Sequence, residues 1–260
     1  MQTKIINFAK YSSIKVGSPI EVLIIEKDDT IPKDRVIIGG ANNLLVSPNP
    51  PPLMMLSKDY DYIKLEDNRL TIGGATKSGR IFSFVKKNNI SGFEFLSKLP
   101  GTLGGLVAMN AGLKDREIFN LIHSVKVDNE YISKDEIDYG YRYAKLNGVV
   151  TEVIFDITYG FDSDEVEILK SMRSNQPSNP SAGSAFKNPM GDYAGRLIDE
   201  IGLKGFRKGD MAWSDIHANF LVNLGDGSYE DAIYLINEAK SRVRDKFGIE
   251  LQEEILILSL

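Results

Sequence analysis

Two short runs rich in β-branched residues, Val36-Ile-Ile38 and Leu70-Thr-Ile72, each stop at a Gly-Gly pair, Gly39-Gly40 and Gly73-Gly74. Such a run reads as a strand passing into a tight loop, because glycine accepts backbone angles and close approaches that other residues resist. More strands follow. Val125 and Val127 lead into Asp128-Asn129, which predicts a hairpin returning through Tyr131 and Ile132,. Val153, Phe155 and Ile157 alternate with Glu152, Ile154 and Asp156, the pattern of a strand with one well-buried face,. Helical spacing enters between and after them. Ile81, Phe82 and Val85 predict a short helix from Ser78 that ends near Lys86-Lys-Asn-Asn89,. Ala194, Leu197, Ile198 and Ile201 stand at i, i+3, i+4 and i+7 before a stop at Gly202,. A longer helix starts at Ser228, with Asp231 in capping-box position, and carries Ala232, Leu235, Ile236, Ala239, Val243 and Phe247 to Gly248,. Ile249 to Leu258 then reads as a final strand, apolar on both faces from Ile255, yet it begins with Gln252-Glu-Glu254. Pro48, Pro50, Pro51 and Pro52 deny amide donors to any ladder and predict a stiff surface loop,. Strands and helices in this alternation predict α+β lobes rather than a bundle.

Composition narrows the function. The 31 Lys+Arg against 36 Asp+Glu give a net charge of −5, so no broad cationic field exists to hold nucleic acid or an anionic membrane,. The absence of cysteine excludes disulfides, thiolate metal sites and cysteine nucleophiles,. His123 and His217 are too few for a histidine metal site, so no metal is expected,. No stretch approaches the roughly 20 apolar residues of a membrane span, and Met1 to Lys10 lacks the apolar region of a signal peptide; a cytoplasmic protein is expected,.

Gly39-Gly-Ala-Asn-Asn-Leu-Leu45 and Pro100-Gly-Thr-Leu-Gly-Gly105 are loops able to expose consecutive backbone amides, which can cradle a pyrophosphate without lysines,. Neither has the spacing of a dinucleotide-binding G-x-G-x-x-G or of a Walker loop, and a Gly-Gly taken alone is a tight turn. In combination they resemble the flavin-binding domain shared by UDP-N-acetylenolpyruvoylglucosamine reductases and p-cresol-methylhydroxylase-type oxidases. That resemblance implies noncovalent FAD, with Gly39, Gly40, Ala41, Asn42, Asn43, Leu44, Gly101, Thr102, Gly104, Gly105 and Asn110 as its contacts.

Later motifs separate the two branches. Gly183-Ser-Ala-Phe-Lys-Asn-Pro189 resembles the reductases' Gly-Ser-x-Phe-Lys-Asn-Pro, and Ser214-Asp-Ile-His-Ala-Asn-Phe-Leu-Val-Asn223 resembles their Ser-x-x-His-Ala-Asn-Phe-x-x-Asn. Gly202-Leu-Lys-Gly205 and Leu251-Gln-Glu-Glu-Ile255 follow in the family's order, so the likeness covers nearly the whole chain. It implies NADPH as co-substrate and a UDP-sugar enolpyruvyl ether as substrate. Ser184 would be the proton donor, Arg142 the holder of the substrate carboxylate and enolate, and Glu254 the polarising carboxylate. Tyr141, Arg173, Gln176, Lys187 and Asn188 would contact substrate, the diphosphate side falling to Arg173 and Gln176. Read without its neighbours, Ser184 is a turn residue after Gly183, and Glu253 competes with Glu254,.

The chain departs from the family pattern in four places. Tyr143-Ala144 stands where a serine often follows the arginine, Leu113-Lys-Asp115 replaces a tyrosine-glycine, and Gln252 replaces a glutamate. The stretch from Tyr159 to Met172 is too short for the substrate-covering loop of longer relatives, so the chain resembles the shorter type. The expected architecture is a PCMH-type FAD domain of two lobes, residues 1–58 and 59–159, plus a C-terminal α+β substrate domain, residues 160–260, whose last strand returns to the FAD domain. A monomer is expected. The rival readings are a flavin oxidase of an alcohol or hydroxy acid and a flavin-binding module without turnover.

Overall fold

The computed structural model describes residues 2–260, which form two compact units. The first holds the stretch up to Lys4, Val22–Gly40 and Pro52–Ser174; the second holds Ile5–Glu21, Ala41–Pro51 and Asn175–Leu260. The chain therefore crosses between them within the first glycine loop, at Gly40/Ala41, and again inside the proline loop, at Pro51/Pro52.

In the first unit a five-stranded antiparallel sheet runs in the order Glu130–Ser133, Ile122–Val127, Val150–Asp156, Arg69–Gly73, Ile63–Glu66. The expected hairpin pairs Val125 with Ile132 and Val127 with Glu130. Alternation along these strands sends Leu70, Ile72, Val125, Val153 and Phe155 into one core, where the helix Ser78–Lys87 delivers Ile81 and Val85 and the helix Leu103–Ala108 delivers Leu103 and Val107. Each such side chain contributes about 1.5–3 kcal/mol by leaving water. A second sheet sets Leu53–Leu56 parallel to both Pro19–Ile25 and Val36–Ile37, with Leu23, Ile25 and Met54 packed together. The Gly73-Gly74 pair closes the strand for a steric reason. A Cβ on Gly73 would lie 2.1 Å from the Tyr60 carbonyl oxygen, and one on Gly74 would lie 2.2 Å from that of Val150.

The second unit is built on a four-stranded antiparallel sheet in the order Ser181–Ser184, Phe220–Asn223, Met211–Trp213, Arg207–Lys208. The helices Ala194–Glu200 and Tyr229–Phe247 contribute to its core. The longer helix has the expected ends. Ser228 Oγ accepts the Asp231 amide at 3.0 Å, and Gly248 takes the left-handed φ of 67° that lets its amide reach the Arg244 carbonyl,. The predicted final strand is much shorter than read from the sequence: only Leu256–Leu258 is strand, parallel to Leu44–Val46. Upstream, the backbone of residues 252–255 bonds instead to the segment that follows Ser184. Among the described residues no helix is long and apolar enough to cross a membrane.

Candidate active site

Within the first unit the two glycine loops, sixty residues apart in sequence, meet. A Cβ on Gly39 would fall 2.3 Å from Thr102 Oγ1, so the hydroxyl occupies the space a side chain at 39 would need. Gly39, Gly40, Gly101, Thr102 and Gly104 are partly exposed and Gly105 is exposed, leaving main chain accessible to a ligand. Ala41 is nearly buried at a left-handed φ of 49°, a conformation that costs a β-carbon about 1–2 kcal/mol and that recurs at ligand-holding sites,.

The asparagines of these motifs have inward tasks. Asn42 Nδ2 donates to Ser13 Oγ at 2.6 Å and Asn43 Nδ2 to the Glu254 carbonyl at 2.8 Å. Leu44 is nearly buried and opens the strand paired with Leu256. Asn110 is fully buried at φ 41°, and its amide is spent three times: Oδ1 accepts the Phe119 amide, and Nδ2 donates to Glu117 Oε2 and to the Gly140 carbonyl. Its side chain braces the hairpin that carries Arg142.

That hairpin pairs Tyr139–Gly140 with Tyr143–Ala144 and turns through Tyr141 and Arg142. Arg142 holds a left-handed φ of 63°, donates from Nη2 to the Gly112 carbonyl at 3.3 Å, and lies 5.0 Å from the centre of the Tyr141 ring. Arg173 donates to the Lys98 carbonyl. Burial, and then the charge of Arg142, push its pKa below the usual guanidinium value. The two guanidinium groups are therefore close enough to repel one another,.

In the second unit the Ser184 and Glu254 segments lie side by side. The Glu254 and Ile255 amides both donate to the Ala185 carbonyl, at 2.8 and 3.3 Å, and the Lys187 amide donates to Gln252 at 2.9 Å. Phe186 bridges to Glu253 and stacks on the buried Trp213 at 5.8 Å. Glu253 is held by Lys240 at 2.7 Å, a structural ion pair. Glu254 is the other acid of the pair, and its backbone is the one tied to both Ala185 and Asn43. Ser184 is partly exposed and follows Gly183, at φ 80°. Lys187 and Gln176 are partly exposed and Asn188 is exposed; Asn188 Oδ1 accepts the Ala194 amide, so its NH2 is the group left for a ligand. Burial lowers the pKa of His217, whose Nδ1 faces the Asn219 amide at 3.3 Å, a structural arrangement.

One residue of the quoted motifs acquires a role that the pattern alone did not show. Asn219 binds the residues just after Ser184 through three hydrogen bonds. The available signal was a polar residue set between the apolar Ala218 and Phe220 in a buried stretch,.

Residues 176–258 match the family model described as the UDP-N-acetylenolpyruvoylglucosamine reductase C-terminal domain. The UDP-N-acetylenolpyruvoylglucosamine reductase of Helicobacter hepaticus is 47% identical, over 99% of this chain and 100% of that one. The enzyme of that name from Campylobacter jejuni is 46% identical, over 98% and 100%. The crystal structure of UDP-N-acetylenolpyruvylglucosamine reductase from Thermus caldophilus superposes with a TM-score of 0.85 at 30% identity, covering 99% of both chains. On likeness that runs the full length in sequence and in fold, this chain belongs to the UDP-N-acetylenolpyruvoylglucosamine reductase family.

Proposed function

We propose that the protein reduces UDP-N-acetylglucosamine-enolpyruvate to UDP-N-acetylmuramate with FAD and NADPH, in peptidoglycan precursor synthesis. The observation that carries this reading is the backbone pairing of the Ser184 and Glu254 segments, two motifs seventy residues apart, in a chain of this family. The fold is α+β, a PCMH-type FAD-binding domain plus a C-terminal domain, as in the Thermus caldophilus enzyme. The reaction belongs in the cytoplasm, and the working form is a monomer.

The residues present suit FAD. Gly39, Gly40, Gly101 and Gly104 offer partly exposed main chain and Gly105 exposed main chain, and a β-carbon on Gly39 would meet the Thr102 hydroxyl. Leu103 and Gly104 already donate their amides to the Thr76 and Gly74 carbonyls, so the remaining main-chain groups of these loops would hold the pyrophosphate, which needs no excess of lysine. FAD, when bound, would supply hydride drawn from NADPH. Ser184 gives its hydroxyl proton to the carbon beside the one that receives hydride, as the enolpyruvyl double bond breaks, and regains a proton from water. A serine is a weak acid, so this transfer requires a strongly basic acceptor, and an enolate is one. Arg142, held by Gly112 and by the Asn110-braced hairpin, carries positive charge to the substrate carboxylate and to the oxygen where enolate charge collects,. Glu254 orients the donors and polarises the enolate. Arg173 and Gln176 serve the diphosphate, while Lys187, Asn188 and Tyr141 hold the rest of the substrate.

The test is NADPH consumption by the flavoprotein on addition of the enolpyruvyl sugar nucleotide. Substrate-dependent NADPH loss is expected. Failure to consume NADPH sinks the reading, and oxygen uptake with a hydroxy acid would move it to the oxidase branch.

A further inference from the structure

The sheet pairs Ser181 with Val222 but Ser184 with Phe220, so one extra residue is accommodated between them, at the bulge containing Gly183,. Beyond Ser184 the strand ends. The next two residues are held by Asn219, which is only 3% exposed. Its carbonyl accepts the Ala185 amide at 2.8 Å, its Oδ1 accepts the Phe186 amide at 3.0 Å, and its Nδ2 donates to the Phe186 carbonyl at 2.8 Å. A primary amide presents the same donor and acceptor as a peptide group, so this side chain continues the interrupted ladder. The Ala185 carbonyl, between these bonds, takes the Glu254 amide. One buried residue thus fixes the backbone that carries Ser184 and, through Ala185, the backbone that carries Glu254.

We infer that Asn219 is a positioning residue for proton delivery, holding Ser184 and Glu254 in one frame without touching substrate. The inference rests on Ser184 being the proton donor. Hydroxyl-to-carbon proton transfer is sensitive to donor placement, and displacement by about 1 Å costs on the order of 100-fold in rate.

The experiment uses the flavin-loaded enzyme under anaerobic conditions and follows flavin reduction by NADPH and reoxidation by the enolpyruvyl sugar nucleotide separately. Asn219→Asp is nearly isosteric; it keeps the acceptor for the Phe186 amide and sets a carboxylate oxygen against the Phe186 carbonyl. Asn219→Ala removes both side-chain bonds. For both variants, flavin content and the reduction rate should stay within about 2-fold of wild type, while reoxidation slows on the order of 100-fold and gains a larger solvent deuterium isotope effect. Ser184→Ala/Asn219→Ala should slow reoxidation by clearly less than the product of the two single losses, because no hydroxyl is left to position. Equal loss in both half-reactions, recovery of both variants without flavin, or additive slowing in the double variant overturns the inference. Rapid reoxidation of Ser184→Ala itself would instead overturn the assignment of Ser184, whatever Asn219 does.

Discussion

The meeting of Gly39 with Thr102 makes a sharp prediction about flavin affinity. Gly39 is outside the left-handed region, so the chief effect of Gly39→Ala is steric. The new Cβ would stand 2.3 Å from Thr102 Oγ1, whereas the Thr102 Cβ and Cγ2 lie at 3.6 and 3.9 Å, ordinary contact distances. The hydroxyl must therefore move by roughly 1 Å, displacing the second flavin loop or rotating its threonine; overpacking of this kind costs about 1–3 kcal/mol. If that cost falls on the FAD-bound arrangement, the dissociation constant rises about 5- to 150-fold. Thr102→Ala removes the offending atom and, on its own, one hydroxyl, for an expected loss of about 0.5–1.5 kcal/mol. Gly39→Ala/Thr102→Ala should then bind FAD about as well as Thr102→Ala alone, a coupling of about 1–3 kcal/mol. Titration of apoprotein with FAD, followed by flavin fluorescence, measures all four corners of the cycle. Additive losses, or wild-type affinity in Gly39→Ala, would refute the argument that these loops grip the cofactor side by side.

Glu253→Gln should leave reoxidation by the sugar nucleotide within a few-fold and change stability by no more than about 1 kcal/mol, since its pair with Lys240 is partly exposed,. Glu254→Gln should slow the same step by at least 10-fold, and stopped-flow comparison of the two decides which acid takes part. Asn110→Ala leaves the Phe119 amide, the Gly140 carbonyl and Glu117 without their partner, and denaturant unfolding should show a loss of about 3–5 kcal/mol,. The His217 pKa lies below its ordinary value because burial disfavours the charged ring. The unfolded chain therefore binds more protons between that lowered value and about 6.5, and the stabilisation present above this window is lost as pH falls through it. His217→Gln should flatten the slope of stability with pH there.

Local structure in this chain was written in local signals. Ser228 and Gly248 bracket the long helix because a hydroxyl and a left-handed glycine satisfy its end groups, and both act within a turn of the helix they cap. The alternation of Val153 and Phe155 likewise reports one face of one strand. What the sequence concealed depends on partners far along the chain. Gly39-Gly40-Ala41 and Gly73-Gly74-Ala75 look alike, yet the first meets Thr102 in a candidate flavin loop while the second makes room for the carbonyls of Tyr60 and Val150. Asn110 belongs to a motif that resembles a cofactor wall, and only three-dimensional neighbours reveal that its amide is already committed. The last strand is shorter than its apolar pattern suggests, because Ile255 to Leu258 carry no record of where residues 252–255 send their backbone bonds. Ser184 and Glu254 were placed in one chemistry by resemblance, and the Ala185 carbonyl supplies the physical link between their segments.

The chemistry proposed for this chain turns on the hydroxyl of Ser184. Ser184→Ala, loaded with FAD and reduced anaerobically by NADPH, is mixed with UDP-N-acetylglucosamine-enolpyruvate, and flavin reoxidation is followed by absorbance. Reduction by NADPH should proceed at the wild-type rate, and reoxidation should slow by about 100-fold to 10,000-fold. Equal slowing of both half-reactions, or reoxidation at the wild-type rate, would contradict this role for Ser184.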